Sequence, residues 1–272
     1  MLQAVKTGGT GAERRRYRTI WISDVHLGTR GCNAAMLIDF LDRVDSDTLY
    51  LVGDIIDGWR LKKRLYWPAL HNDVVSRLMK RVKRGTRVVY IPGNHDEMFR
   101  QFVGMNFGGI AIRRRAMHET ADGRRLLVLH GDEFDAITLA QPWLAHMGDT
   151  AYTALLAVSH VVNSVRRRLG MPYWSLSKHA KAKVKNAVAF VSRFEEVVAR
   201  AAGSRGVDGV VCGHIHTAET RTIGDIAYYN DGDWVESCTA LVEHHDGQME
   251  LLHWADEIAR RNARPRSIGL AA

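Results

Sequence analysis

Five short apolar runs in this chain each lead into a cluster of histidine, aspartate or asparagine residues, and no other feature of the sequence constrains the fold as strongly. The runs predict β-strands, because they are short, rich in branched and aromatic residues and bounded by turn residues. The runs are residues 19–22, 49–52, 88–91, 126–129 and 210–212, and the clusters after them contain, in the same order, Asp24, Asp54, Asn94, His130 and His214. Open α/β sheets gather the carboxyl ends of their strands along one edge. We therefore predict that these side chains converge on one site.

The segments between the runs predict an α/β fold. Apolar residues recur at helical spacing over residues 34–44, between the first two predicted strands, and strand, helix, strand is the unit of a mainly parallel sheet. A second helix is predicted over residues 67–84, with Gly85 as its capping glycine. Later in the chain, residues 226–230, 240–245 and 248–254 are predicted to be strands that complete a second sheet.

The polar side chains of the clusters form a metal-ligand inventory. They are Asp24, His26, Asp54, Asn94, His95, His130, His214 and His216. Mixed imidazole and carboxylate ligands suit a divalent first-row ion, and no cysteine belongs to the set. A single Asp-x-His or His-x-His motif more often marks a surface turn, so the hypothesis depends on all five clusters occurring together. A bridging carboxylate would hold two ions about 3.5–4 Å apart, a spacing used in phosphoryl transfer, and Asp54 is the candidate bridge.

Taken in chain order, Asp-x-His, Gly-Asp-x-x-Asp, Gly-Asn-His-Asp, His-Gly-Asp and Gly-His-x-His resemble the signature of the calcineurin-like metallophosphoesterases, over roughly residues 21–233. The resemblance implies a four-layer α-β-β-α sandwich that binds two divalent metal ions, with Mn²⁺ expected and Fe, Zn, Ni or Co as alternatives. Motif by motif, it implies that one ion is held by Asp24, His26, Asp54 and His216, and the other by Asp54, Asn94, His130 and His214. His95 would protonate the leaving oxygen, and Asn94 would help to neutralise charge on the phosphoryl oxygens. From the residues themselves, we expect Asp96 to keep the neighbouring His95 partly protonated near neutral pH, and Asp57 to orient a metal ligand.

Within this family, the run Trp-Ile-Ser-Asp-Val-His-Leu-Gly and a helical insertion before Gly-His-Ile-His are similar to the UDP-2,3-diacylglucosamine diphosphatase group. That similarity implies hydrolysis of a lipid nucleotide to UMP and a lipid phosphate, a step of lipid A synthesis on the cytoplasmic face of the inner membrane. The sequence departs from the group at one position, because members resemble Gly-Asn-Arg-Asp where this chain has His95. The alternative is a phosphodiesterase or nuclease paralogue that acts on another nucleotide or phospholipid. A binding protein without catalysis is the least favoured interpretation, because every motif residue is present.

Charge favours an anionic partner without choosing one. Lysine and arginine outnumber aspartate and glutamate by 38 to 30, a net charge of +8. Arg60, in a basic run just after Asp54, is a predicted substrate contact, and so are Lys178, Lys181 and Lys185 later in the chain. The last three are also consistent with a solvated helix face, but their place in the insertion slightly favours substrate contact. We expect a phosphorylated small molecule or lipid nucleotide as the partner, rather than nucleic acid, and the sequence does not indicate an oligomeric state.

We predict four parts in the chain: a flexible basic arm (1–16), the metallophosphoesterase domain (17–135 and 203–258), a helical insertion or cap (136–202) and a disordered tail (259–272). The apolar stretch 151–165 is too short to span a bilayer. It could lie in the membrane interface, line a pocket for acyl chains, or pack on the domain or a second subunit. Three widely spaced cysteines and the lack of an apolar leader favour an intracellular protein, with peripheral association at the inner membrane as one expectation.

Overall fold

The computed structural model describes residues 14–135 and 176–263, and describes side chains throughout these ranges except over residues 176–187. The chain clusters into two compact units. One unit runs through Asp132 and resumes at Ala202, and the other spans Glu133–Ala201. The predicted role of the second unit as a cap stays a prediction, and the stretch 151–165 lies outside the described residues.

The described residues form two mixed β-sheets and five α-helices. The strands are β1 (Arg15–Ile22), β2 (Val44–Val52), β3 (Arg87–Ile91), β4 (Asn106–Phe107), β5 (Ile110–Ile112), β6 (Ala116–Glu119), β7 (Arg125–Val128), β8 (Gly209–Cys212), β9 (Glu219–Ile223), β10 (Ile226–Asn230), β11 (Thr239–Glu243) and β12 (Met249–His253). The helices are α1 (Ala34–Arg43), α2 (Gly58–Lys63), α3 (Ala69–Lys83), α4 (Leu176–Gly203) and α5 (Trp254–Ala263). Two 3₁₀ turns cover Glu97–Phe102 and Asp132–Phe134.

The first sheet has seven strands in the order β12-β11-β1-β2-β3-β5-β4. Strands β1, β2 and β3 are parallel neighbours, with Ile20 opposite Leu49 and Leu49 opposite Val88. α1 connects β1 to β2, and α3 precedes β3, so the predicted strand, helix, strand units are present. The carboxyl ends of these three strands therefore lie side by side at one edge, where the first three polar clusters begin.

The second sheet has five strands in the order β6-β7-β8-β10-β9. β8 lies between β7 and β10 and is parallel to both. The loops after β7 and β8 carry His130 and His214, so two further polar clusters follow neighbouring strand ends. Together the two sheets and their helices confirm the predicted α/β class.

The prediction that residues 240–245 and 248–254 complete the second sheet is wrong. β11 and β12 belong to the first sheet, where β11 pairs antiparallel with β1 and Thr19 lies opposite Glu243. All five residues of β11 are buried, because the strand lies inside the sheet between β1 and β12 and has both faces covered. Of the three predicted strands, only β10 joins the second sheet.

Two apolar cores hold the first unit together. One lies between the sheets and combines Trp21, Tyr50 and Ile91 of the first with Val128 and Val211 of the second. The other lies between the first sheet and helices α1, α3 and α5, and its members include Ile20, Leu37, Phe40, Leu49, Val74, Val88, Trp234 and Trp254. Fully burying a large apolar side chain contributes roughly 1.5–3 kcal/mol, so these cores make the strand ends a rigid base for a site.

The first strand and the last helix described in the first unit extend past the boundaries predicted from the sequence. β1 begins at Arg15, inside the predicted flexible arm, because its first residues pair with β2 and Arg15 forms an ion pair with Glu257 at 2.5 Å. α5 extends to Ala263, beyond the predicted domain end at residue 258. Its first residue, Trp254, is buried with its ring 5.1 Å from that of Phe40, and Arg261 in its last turn forms an ion pair with Asp39 at 3.1 Å. Among the described helices, none is both long enough and apolar enough to cross a membrane.

Candidate metal centre

The loops after β1, β2, β3, β7 and β8 bring the predicted site residues together. Backbone hydrogen bonds connect two of these loops directly, since the amides of Asp24 and His26 donate to the carbonyls of Gly53 and Asp54 at 3.0 and 2.9 Å. The His214 amide donates to Oδ2 of Asp24 at 2.9 Å, which joins the loop of the second sheet to that of the first. Residues 190 positions apart in the sequence therefore share one site.

The first cluster consists of Asp24, His26 and His216, with one ligand atom of each within 4.8 Å of the others. Nε2 of His26 lies 3.3 Å from Nε2 of His216. Oδ1 of Asp24 lies 3.1 Å from Nε2 of His216 and 3.8 Å from Nε2 of His26. Three atoms able to donate an electron pair thus face a common point.

The second cluster consists of Asp54, His130 and His214. Oδ1 of Asp54 lies 3.5 Å from Nε2 of His130, and Oδ1 of Asn94 lies 3.3 Å from that same nitrogen. Nδ1 of His130 lies 2.8 Å from the carbonyl oxygen of Val52, to which it can donate a hydrogen bond, and this leaves Nε2 directed at the cluster. A ligating imidazole in a metalloprotein is held in the same way.

Asp54 lies between the two clusters. Its Oδ1 faces His130, while its Oδ2 is 3.9 Å from Nε2 of His26 in the first cluster. This is the position that a carboxylate bridging two ions requires.

Five of the site residues have left-handed backbone conformations. The φ angles are 49° for Asp24, 53° for His26, 53° for Asp54, 72° for His214 and 52° for His216. Among non-glycine residues in the described part of the chain, only Cys238 also has a positive φ. Each such residue costs about 1–3 kcal/mol, and clusters of them are found at functional sites. The loops are therefore shaped for the site rather than for the stability of the fold.

The donor set fits a divalent cation. Imidazole, carboxylate and amide oxygen are ligands for divalent first-row ions. Oδ1 of Asp24 is fully buried and, within the described part of the chain, accepts no aligned hydrogen bond, so it retains a lone pair for a cation. The centre is thus equipped to hold a divalent metal.

The electrostatics of the clusters agree with this interpretation. Burial lowers the pKa of His216, but the adjacent Asp24 carboxylate outweighs it and raises the pKa to about 9. Burial raises the pKa of Asp24 in turn, yet its neighbouring imidazoles, His216 first, hold that pKa below the usual range. A bound cation would take the place of the imidazole protons, so metal binding should release protons.

His95 is held beside the centre by Asp57. Nδ1 of His95 lies 3.2 Å from Oδ2 of Asp57, and Nε2 lies 4.0 Å from Oδ2 of Asp54. Asp57 also lies 3.4 Å from Nδ1 of His26, and its Oδ1 accepts the Arg60 amide at 2.8 Å, capping α2. The prediction that Asp57 orients a ligand therefore agrees with its position.

The expectation that Asp96 keeps His95 protonated is wrong. Asp96 is fully buried and turns away from His95, accepting hydrogen bonds from the Gly93 amide at 2.6 Å, the Ile55 amide at 2.8 Å and the Tyr90 hydroxyl. It braces the turn that carries Asn94, and Asp57 takes the role that had been assigned to Asp96.

Trp59 is a residue that the sequence interpretation missed. Its ring centroid lies 4.3 Å from that of His95, and its side chain is 39% exposed. The one available signal was its place two residues after Asp57. Arg60, the neighbouring predicted substrate contact, is exposed on α2, whereas the side chains of Lys178, Lys181 and Lys185 lie outside the described residues.

This chain matches one family model and is similar to several known proteins. The family model described as calcineurin-like phosphoesterase matches residues 17–218. A protein named UDP-2,3-diacylglucosamine hydrolase from Azotobacter vinelandii is 27% identical over 208 residues, which cover 73% of this chain and 81% of the relative. A protein of the same name from Chromohalobacter salexigens is 31% identical over 120 residues, which cover 42% of this chain and 46% of the relative. Among solved structures, a phosphoesterase from E. coli is 13% identical, with a TM-score of 0.40 over 86% of this chain and 98% of its own.

Proposed function

Because this chain belongs to the calcineurin-like phosphoesterase family and is therefore a metal-dependent hydrolase, we propose that it uses two divalent ions, Mn²⁺ first among them, to hydrolyse a phosphodiester or diphosphate bond. The observation that carries this proposal is the place of Asp54, with Oδ1 3.5 Å from His130 and Oδ2 3.9 Å from His26. One ion would be held by Asp24, His26, Asp54 and His216. The other would be held by Asp54, Asn94, His130 and His214.

Two divalent ions at this site would supply a nucleophile from water at neutral pH and neutralise charge on the phosphoryl oxygens. The protein's own contribution is the fixed geometry of the loops, which costs nothing to assemble at the moment of reaction. Asn94 offers a neutral amide oxygen as a ligand. The site therefore has less negative charge than it would have with a carboxylate there, and it repels an incoming phosphate less.

His95 acts as the general acid in this proposal. Burial lowers the pKa of His95, but the polar contact of Nδ1 with the Asp57 carboxylate and the charges of Asp54, Asp57 and Asp24 outweigh burial and raise that pKa. A carboxylate at Nδ1 favours the imidazolium, and Nε2, on the side of Asp54, then has a proton to give to the leaving oxygen. General acid catalysis of this kind contributes about 10²–10⁴-fold in rate.

The proposed substrate is a lipid nucleotide of the UDP-2,3-diacylglucosamine type, cleaved to UMP and a lipid phosphate. The names of the two relatives support this choice. The exposed cations Arg60, Lys62, Lys63 and Arg64 on and after α2 supply positive charge for a diphosphate. In this proposal the protein works at the cytoplasmic face of the inner membrane, in lipid A synthesis, and Lys178, Lys181 and Lys185 also contact the substrate.

One observation favours a second candidate. This chain has His95 at the position where members of the diphosphatase group resemble arginine, so its substrate could differ from theirs. A phosphodiesterase or nuclease paralogue that acts on another nucleotide or phospholipid is therefore the alternative.

Hydrolysis of UDP-2,3-diacylglucosamine in detergent with Mn²⁺ tests the proposal, run beside an aryl phosphodiester. The variants are His95→Ala and, as a matched control, His253→Ala, whose exposed imidazole lies on β12. Release of UMP by the wild type and the control, and its loss in His95→Ala, is the expected result. Cleavage of the aryl ester alone would keep the metallohydrolase and reject the lipid nucleotide. If the wild type hydrolyses neither compound in the presence of metal, the proposed reaction and the proposed substrate are both rejected.

A further inference from the structure

The indole of Trp59 covers one face of the His95 imidazole. The ring centroids are 4.3 Å apart and the ring planes are inclined by 35°. Nε1 of Trp59 donates a hydrogen bond to Oε1 of Glu97 at 3.3 Å, which ties the indole to the 3₁₀ turn that follows the Asn94 loop. The ring contact with His95 and the hydrogen bond from Nε1 to Glu97 together fix the position of the indole.

Two further groups contact the imidazole. Asp57 lies at Nδ1, and the ring of His26 meets that of His95 at 4.7 Å with an angle of 89° between the planes. The amide of Gly58 donates to the carbonyl of His95 at 2.9 Å, which fixes the backbone of α2 to that of the acid. Unlike Asp57 and His26, Trp59 is neither a carboxylate nor a proposed metal ligand.

We propose that Trp59 is a positioning residue that holds the His95 imidazole with Nε2 directed at the leaving oxygen. This inference rests on the proposed role of His95 as the acid. An indole has only two side-chain torsions and a broad apolar face, so it restricts the ring at little entropic cost and keeps water from one face. A misplacement of about 1 Å in a reacting group costs up to about 10²-fold in rate, so a looser imidazole should donate its proton less efficiently.

Such a role has a specific kinetic signature. A general acid matters for a poor leaving group and hardly at all for a good one. The probes are two esters of thymidine 5′-monophosphate that share the same nucleotide and differ in the leaving group, 4-nitrophenol in one and phenol in the other. With Mn²⁺ present, Trp59→Ala should lower kcat for the phenyl ester about tenfold and change kcat for the nitrophenyl ester less than about twofold, with KM unchanged.

The ratio of kcat values on the two esters is internal to one protein sample, so a fraction of unfolded Trp59→Ala cancels from it. Trp59→Phe keeps an aromatic face without the N–H group and should restore the phenyl ester to within about threefold of wild type. Trp67→Ala is the matched control, because Trp67 also packs against a histidine, His71 at 5.3 Å, and donates from Nε1 to Asn72 at 2.8 Å, yet does not contact His95. Its ratio should equal that of the wild type.

His95→Ala separates the two hypotheses. A strong bias against the phenyl ester in His95→Ala together with an unchanged ratio in Trp59→Ala would overturn the positioning role and leave the acid in place. Equal losses on both esters in Trp59→Ala, or a change confined to KM, would also overturn it, since either result points to general damage or to substrate contact. If His95→Ala lowers kcat equally for the phenyl and nitrophenyl esters, the assignment of His95 as the acid is overturned, and this inference with it.

Discussion

Oδ2 of Asp57 lies 3.2 Å from Nδ1 of His95, which joins the motif after β2 to the motif after β3. Asp57→Asn should keep the cap of α2, because asparagine also offers an oxygen to the Arg60 amide, but it removes the charge beside His95 and His26. Groups that orient metal ligands typically affect activity by about 10–100-fold. We expect a loss of that size in kcat/KM for an aryl phosphodiester with saturating Mn²⁺.

Asp42→Asn is the control for this change, because Asp42 is a partly exposed carboxylate paired with Arg77 at 2.8 Å on the surface of α1. It should retain wild-type activity. An Asp57→Asn variant with full activity would show that the carboxylate does not orient His95 or His26.

Metal content should follow the two clusters. We expect two ions per wild-type chain, about one ion in His214→Ala, and less than one in Asp54→Ala, since Asp54 would serve both positions. Elemental analysis after equilibrium dialysis against Mn²⁺ measures this directly. His244→Ala, which removes a partly exposed imidazole paired with Glu250, should leave the content at the wild-type level. Two ions in Asp54→Ala would contradict the bridging role.

Gly93 is close-packed against the centre. A Cβ at this position would lie 2.6 Å from Nε2 of His130 and even closer to Oδ1 of Asp54. Gly93→Ala should therefore push the second cluster apart and lower both Mn²⁺ affinity and kcat/KM by about 100-fold, the size expected when ligand geometry is disturbed. Titration calorimetry and kinetics measure the two effects.

Gly203→Ala is the matched substitution for Gly93→Ala, because its added methyl group would make only ordinary contact with Ile226 at 3.5 Å. It should bind metal as the wild type does. If Gly93→Ala and Gly203→Ala have the same Mn²⁺ affinity and kcat/KM, the second cluster tolerates an added methyl group, contrary to its close packing.

Removal of metal should destabilise the protein. The clusters place buried carboxylates beside imidazoles, and a ligand that binds only the folded state stabilises it by about 2.7 kcal/mol at a hundredfold excess over Kd. Chelation with EDTA should lower the Tm in a thermal melt, and added Mn²⁺ should restore both Tm and activity. A Tm that does not respond to EDTA would argue against metal binding by the folded chain.

The buried Glu243 carboxylate, paired with a partly exposed Arg18, should control stability at acid pH. Glu243 on β11 is fully buried and accepts from Arg18 at 2.7 Å and from the Ala121 amide at 2.7 Å, and its Oε2 lies 2.8 Å from Nε2 of His118 on β6. Burial raises the pKa of Glu243, but the contacts with His118 and the Ala121 amide outweigh burial and lower the pKa below 4.5. A lowered folded-state pKa stabilises the protein above the unfolded-state pKa, and this stabilisation is lost as the pH falls through the folded-state pKa.

Glu243→Gln should therefore cost about 3–5 kcal/mol in the free energy of unfolding at pH 7, and the difference from wild type should shrink as the pH falls below 4.5. Urea denaturation of both proteins in EDTA measures this without a metal contribution. Glu250→Gln breaks an exposed pair with His244 and should change stability by less than about 1 kcal/mol. A constant difference between Glu243→Gln and wild type across the acid range would reject the role of the Glu243 charge.

The sequence alone was sufficient to predict the inner strands and that the polar side chains after them lie close together. Local rules account for this, because a short apolar run such as that before Asp24 predicts a strand whatever surrounds it, and parallel strands place their carboxyl ends together. His26, His130 and His216 were predicted to meet because each follows a strand end, and the structure brings them together.

Tertiary structure decided the rest. β11 and β12 have the same local pattern as β10, yet they pair in the other sheet, because strand pairing depends on which edge is open and that is a property of the whole fold. The partner of His95 is Asp57, from another loop, rather than its neighbour Asp96, because the Gly93 turn directs the Asp96 side chain to backbone amides. Trp59 lies against His95 because the Gly58 amide donates to the His95 carbonyl, which holds the start of α2 beside the Asn94 loop. Sequence order determines which side chains reach an edge, but their directions follow from backbone angles that are set only when the loops pack against one another.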